Sequence, residues 1–167
     1  MPWADRARAG SNGYVKRLVC CVAAVLLAGC SEPVDLKQAL EVVDVSTGWF
    51  DVGVVNGQNK IVPSVTFRVR KKTDAELPGV SLNLLFKREG EDAAYDEVFL
   101  QRAAVDGAQP ITVRAETGYT ADPPQSRADM LKHSSFRDVT IQIFAKQTSA
   151  QWVELHRVKV QRQVLMQ

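Results

Sequence analysis

Asp129 and His133 stand four residues apart, a spacing that on a helix turns a carboxylate and an imidazole to one face and offers a metal ion two ligands. No third or fourth ligand can be named beside them, so a solvated helix face is the better expectation. His156 is the second of two histidines in the chain and falls inside an alternating segment near its end. Glu89, Glu91, Asp92, Asp96 and Glu97 crowd one connection. Calcium takes such oxygens, but the spacing lacks the ligand order of an EF-hand, which favours a solvated acidic loop. HExxH, CxxC, GxSxG, dinucleotide-binding and Walker patterns do not occur, and each reaction class tied to them loses its geometric requirement. The expectation is no enzyme, no catalytic residue, no metal and no cofactor. Trp49, Phe50, Trp152 and Tyr119 are the candidates for a partner surface. Exposed together they would make the aromatic patch that binding hot spots favour, although at least one Trp is expected in the core. Tyr119 lies in "ETGYTADPPQSRADMLKHSS", residues 116–135, a long connection with little core-forming power. Long connections in compact domains are often functional.

Thiol chemistry is confined to Cys20, Cys21 and Cys30. The first two sit in an apolar run, Leu18 to Ala28, that follows Lys16 and Arg17 and ends in small residues. The run is too short to span a bilayer, for which roughly 20 apolar residues are needed. A basic flank, a short apolar stretch and a small-residue ending build a secretory signal peptide.

The ending carries a more specific resemblance. Leu27-Ala28-Gly29-Cys30 resembles the lipobox of bacterial lipoproteins. The resemblance implies cleavage between Gly29 and Cys30, a diacylglyceryl group on the Cys30 thiol, and an acylated new amino terminus. Two or more acyl chains make a stable anchor where one holds only marginally. Ser31 is not the aspartate that retains many lipoproteins of this family in the inner membrane, so the resemblance favours the outer membrane, facing the periplasm. Residues 1–29 are thus expected to be the signal peptide, and residues 30–38, with "SEPVDLKQ", a polar tether. Asp5 and the length of the stretch before Val15 fit an n-region poorly, which points to a start at Val15, where a GUG codon is read as Met.

Removing Arg6, Arg8, Lys16, Arg17 and Asp5 with the leader from 21 basic and 19 acidic residues leaves 17 and 18, a formal charge of −1 rather than +2. A nucleic-acid partner would need clustered basic charge, so none is expected. The body that remains is free of cysteine once Cys30 is lipidated, which suits an oxidising compartment. About 137 residues are enough for one domain.

That body, residues 39–167, alternates with period 2. Val65, Phe67 and Val69 oppose Thr66, Arg68 and Arg70; Val80, Leu82, Leu84 and Phe86 oppose Ser81, Asn83, Leu85 and Lys87; Val139, Ile141 and Ile143 oppose Thr140, Gln142 and Phe144. Half-buried antiparallel strands read this way. Shorter strands are expected over Leu40–Val45, Trp49–Val55, Glu97–Ala103 and Ile111–Ala115. Val153 and Leu155 differ in parity from Val158 and Val160, which predicts a β-bulge near His156-Arg157. Asn56-Gly57 predicts a type I′ hairpin turn, and Pro63 places the start of its strand at a sheet edge. One short helix is expected around Gln125–His133. About seven strands at this turn spacing predict an all-β, immunoglobulin-like antiparallel sandwich, with a small barrel as the alternative. The run "GWFDVGVVNGQNKIVPSVTFRVR" is similar to FxLYD-type and related bacterial envelope domains in its Gly-x-Val-x-Asn stretch before a proline and an alternating strand. The expected function is a lipid-anchored, non-catalytic binding or accessory module in an envelope complex; the alternative is a periplasmic carrier of an apolar small molecule or lipid.

Overall fold

The computed structural model describes residues 34–166. The leader, Gly29, Cys30 and the first residues of the tether lie outside the described residues. The folded chain opens with one helical turn, α1 (Leu36–Ala39), capped by the Asp35 carboxylate, which accepts the Lys37 N–H at 2.9 Å. Leu36 and Ala39 are buried, so the stretch expected to be tether through residue 38 is already packed at Leu36.

The strands follow as β1 (Leu40–Val55), β2 (Gln58–Lys71), β3 (Val80–Arg88), β4 (Asp96–Leu100), β5 (Ile111–Arg114), β6 (Tyr119–Ala121), β7 (Val139–Gln147), β8 (Val153–Lys159) and β9 (Val164–Leu165), with the helical turn α2 (Arg127–Met130) between β6 and β7. One sheet runs β5-β2-β1-β9, with β6 continuing the line of β5 along β2; the other runs β4-β3-β7-β8. All pairings are antiparallel except β1 with β9. The two sheets form the expected all-β, immunoglobulin-like sandwich. β6 and β9 are the short additions beyond the about seven strands that the alternation predicts. The predicted inward rows meet between the sheets: Val65, Phe67, Leu82, Leu84, Ile141 and Ile143 are each 0% exposed.

Three local expectations change. Leu40–Val45 and Trp49–Val55 are one strand, bent by register shifts between Val43 and Ser46 and between Asp51 and Gly53 rather than broken. The bulge in β8 falls one residue earlier than predicted, at Leu155. Ile143 pairs with His156 and Phe144 with Glu154, leaving Leu155 as the extra residue. It puts Glu154 and Arg157 on one face despite their odd spacing, and Arg157 Nε donates to Glu154 Oε1 at 2.9 Å.

Pro63 is the larger correction. It lies inside β2, paired with Trp49 of β1 on one side, not at an edge. Its carbonyl accepts the Ala115 N–H at 3.0 Å, so its missing N–H would point to the β5–β6 side. β5 ends at Arg114 and β6 begins at Tyr119, so the proline faces the interruption between them, where the ladder needs no donor. Asn56 and Gly57 turn the β1–β2 hairpin with φ of 51° and 81°, as a type I′ turn requires.

Candidate functional site

The long connection from β5 to β7 is held against the sandwich by a few specific bonds. At its start the Asp96 carboxylate accepts the backbone N–H groups of Glu116 and Thr117, at 2.7 and 2.9 Å. Tyr119, Thr120 and Ala121 then pair with Ile61, Lys60 and Asn59. Gln58 Nε2 donates to Asp122 Oδ1 at 2.8 Å, and Asn59 Nδ2 to the Gln125 carbonyl at 2.8 Å. Ser126 caps α2, and Arg127 pairs with Asp51 at 3.0 Å. At the far end Arg162 donates to the Leu131 carbonyl and pairs with Asp138 at 2.7 Å.

Where β6 and the start of β2 meet residues 122–136 lies an open cleft of about 270 Å³. Gln58, Asp122, Gln125, His133 and Ser135 form its polar rim, and Tyr119 and Phe136 line it with aromatic surface. The rings continue inward: Tyr119 and Phe136 centroids are 4.7 Å apart, Trp49 and Phe136 4.8 Å, and Trp49 and Tyr119 5.5 Å. The Tyr119 hydroxyl is tied to the Arg137 backbone, accepting its N–H at 2.9 Å and donating to its carbonyl at 3.2 Å. Trp49 is 1% exposed, and its buried Nε1 has no hydrogen-bond partner. Amide, hydroxyl and imidazole groups over a rigid aromatic floor can hold a polar ligand or an extended peptide by hydrogen bonds and stacking.

The four aromatic residues singled out in the sequence do not form one surface. Trp49 and Phe50 are neighbours on a strand and so face opposite ways. Trp49 enters the core beside Tyr119, whereas Phe50 lies on the outer face beneath the Arg114 guanidinium, 3.4 Å from its ring centroid. Trp152 stands on the outer face of the other sheet, 37% exposed, in a T-shaped contact with Phe99 at 5.8 Å. Phe99, 47% exposed, was not predicted. Its signal was present in "DEVFL", where Val98 and Leu100 pack on the core and turn Phe99 outward.

The titratable candidates are dispersed. Asp129 Oδ2 accepts from Ser126 Oγ at 2.6 Å, and His133 Nδ1 is 2.7 Å from Ser135 Oγ, so each is bound to its own neighbour. Among the described residues, no group of three or more His, Cys, Asp or Glu side chains is placed to hold a metal ion. The acidic connection is likewise divided: Glu91 faces Arg88, Glu89 faces Lys159, Glu97 accepts from Asn83, and Asp96 clamps residues 116 and 117. His156 is half-buried at the bulge, opposite Ile143.

Asp138 was missed by sequence reasoning, because its partners, Lys159 at the end of β8 and Arg162 just beyond it, lie more than twenty residues along the chain. Its side chain is only 12% exposed and accepts from Arg162 at 2.7 Å and Lys159 at 2.6 Å. The Arg162 hydrogen bond, then that of Lys159, outweighs the opposing effect of burial and holds the carboxyl below the usual carboxylate range. A lowered folded-state pKa means this contribution is complete at neutral pH. It begins to fall once pH drops below the ordinary carboxylate value, and it is gone below Asp138's own lowered value. Asp138→Asn is expected to cost about 1.5 kcal/mol at pH 7, and the difference from the native chain should shrink as the pH falls below the ordinary carboxylate range. Urea midpoints measured across that range check it; a pH-independent difference would contradict the assignment.

Neither a protein-family model nor a curated protein sequence matches this chain.

Proposed function

We propose that this chain is a cell-envelope lipoprotein, anchored through acyl groups on Cys30, whose sandwich serves as a non-catalytic binding or accessory module in an envelope complex. The outer membrane, facing the periplasm, is the favoured site. The observation that carries the module reading is the filled space between the sheets. A carrier of an apolar molecule needs room there, and Val65, Phe67, Leu82, Leu84, Ile141 and Ile143 occupy it at 0% exposure. The surface features left for recognition are the cleft under the 116–135 connection and the Phe99–Trp152 pair.

The anchor is supported by Lys16-Arg17, the uncharged run behind them and Leu27-Ala28-Gly29-Cys30. Cys30→Ala is expected to leave the leader attached and the chain without lipid, read from the mass of the intact protein; normal acylation of that variant would refute the anchor. The module is tested by a photo-crosslinking side chain at Thr120, in the cleft, with the chain at its native level in the envelope. A single saturable protein adduct is expected, absent when the crosslinker is moved to Thr66, farther along β2 and opposite Thr112 of β5. Uptake of an apolar ligand with no protein adduct would favour the carrier instead.

A further inference from the structure

We propose that the Phe99–Trp152–Lys146 patch, on the outer face of the β4-β3-β7-β8 sheet, rests on the anionic phospholipid surface to which Cys30 is anchored. The proposal deepens the anchor reading above and rests on it.

The first support is where the patch lies. Val80 at the start of β3 pairs with Gln147 at the end of β7, and Ala145 pairs with Val153 at the start of β8. Trp152 therefore belongs to the end of the sheet at which β3 begins. Phe99 reaches the same region through Asn83, which pairs with it and with Phe144. The chain also enters the fold at this end. α1 packs on β1, β7 and β8, and the Lys72 N–H donates to the Ala39 carbonyl at 2.8 Å. Only residues 31–35 separate Cys30 from Leu36, a reach of roughly 20 Å when fully extended. A lipid on Cys30 would keep this end beside the bilayer.

The second support is chemistry. Phe99 and Trp152 are two exposed aromatic rings in mutual contact, and large apolar groups left in water together mark an interaction surface. The Lys146 ammonium stands 4.8 Å from the Trp152 ring, which sets a positive charge beside an indole. Trp at the headgroup level and Lys toward anionic lipid are the pairing that membrane interfaces favour. The charge around the patch agrees. Among the described residues, Lys37, Lys71, Lys72 and Lys146 make no ion pair with a carboxylate. With Arg102 they make five cations in the segments at this end, against Asp35, Asp74, Glu76 and Asp106 among the described carboxylates outside any ion pair. Of the carboxylates on this face, Glu154 is engaged by Arg157 and Gln142, and Glu97, two residues from Phe99, accepts from Asn83.

The test uses the full chain, processed and lipidated in its host, then reconstituted into vesicles of phosphatidylethanolamine and phosphatidylglycerol. Cleavage before Cys30 removes Trp3, so Trp49→Phe leaves Trp152 as the single tryptophan of the mature chain. Its emission is expected to fall about twofold when the acyl chains carry bromine, and to recover at high salt or with Lys146→Glu. In the converse variant, Trp152→Phe, the buried Trp49 should be unaffected by bromine. Hydrogen exchange on the unsubstituted lipidated chain gives a second reading: slower exchange over 96–100 and 152–155 on these vesicles than on vesicles of neutral phosphatidylcholine alone. Lipidated chain that sediments with vesicles but shows neither quenching nor protection overturns the patch alone, as does shielding of Trp152 by a second copy or another protein. A Cys30 peptide of unmodified mass refutes the anchor, and the proposal falls with it.

Discussion

Gly118→Ala is expected to lower stability by about 3 kcal/mol, because among the described glycines an added methyl group meets its closest neighbour here. A Cβ at Gly118 would overlap the Ile61 carbonyl oxygen and stand 2.8 Å from Val62 Cγ1. Overpacking is tolerated where a flexible side-chain tip can move aside, and here the obstacle is backbone. Ile61 pairs with Asp51 of β1 on one side and Tyr119 of β6 on the other, and its side chain is 0% exposed, so it cannot retreat without breaking β2. The strand can yield only by lifting residues 116–121 away. That would remove the β6 ladder and draw Tyr119 from its contacts with Trp49 and Phe136. The urea midpoint should fall, and protease cleavage within 116–135 should accelerate. Gly53→Ala separates the two ways a glycine can be required. Gly53 has φ of 93° with no atom within 4 Å of an added Cβ, so only the left-handed backbone penalises alanine, by about 1 kcal/mol. Equal costs at the two positions would mean that the connection adapts and that the close approach is not a constraint.

Gly118 also marks the boundary of what could be read from residue order. Alternation named the inward rows of β2, β3 and β7 because burial on one face of a strand leaves a period of two, whatever sheet the strand joins. It also detected the extra residue in β8, since one insertion reverses parity. Neighbours across the sheet leave no such trace. Pro63 looked like an edge residue because its missing donor was legible, whereas the interruption between β5 and β6 that removes the need for a donor lies some fifty positions away in the chain. Trp49, Phe50, Tyr119 and Trp152 were grouped by aromatic character. Parity alone already sends Trp49 and Phe50 to opposite faces, and only the pairing of strands shows that Trp152 belongs to the other sheet beside Phe99. The long connection was legible as a candidate site through its length and composition. The bonds that hold it, from Asp96, Asn59 and Arg162, join residues from three separate stretches.

Trp49→Ala is expected to cost about 4 kcal/mol, and Trp49→Phe only about 1 kcal/mol. The difference follows from two features of the same side chain. Its rings fill the core at 1% exposure and brace Phe136 at 4.8 Å and Tyr119 at 5.5 Å, so truncation leaves a cavity and removes two aromatic contacts. Its Nε1 is buried with no hydrogen-bond partner, a desolvation cost that the native chain already bears. Phenylalanine keeps most of the packing and discards the orphaned donor, so the gain from one offsets part of the loss from the other. The consequence reaches the cleft. With alanine, Tyr119 and Phe136 lose the surface beneath them, and the near-ultraviolet circular dichroism of the aromatic cluster should weaken before the strands unfold. Crosslinking from Thr120 should then decline with Trp49→Ala and persist with Trp49→Phe. Equal destabilisation by both substitutions would mean that Nε1 is hydrogen-bonded in solution, through water between the connection and β1, and that the indole acts as a polar fastener rather than as packing.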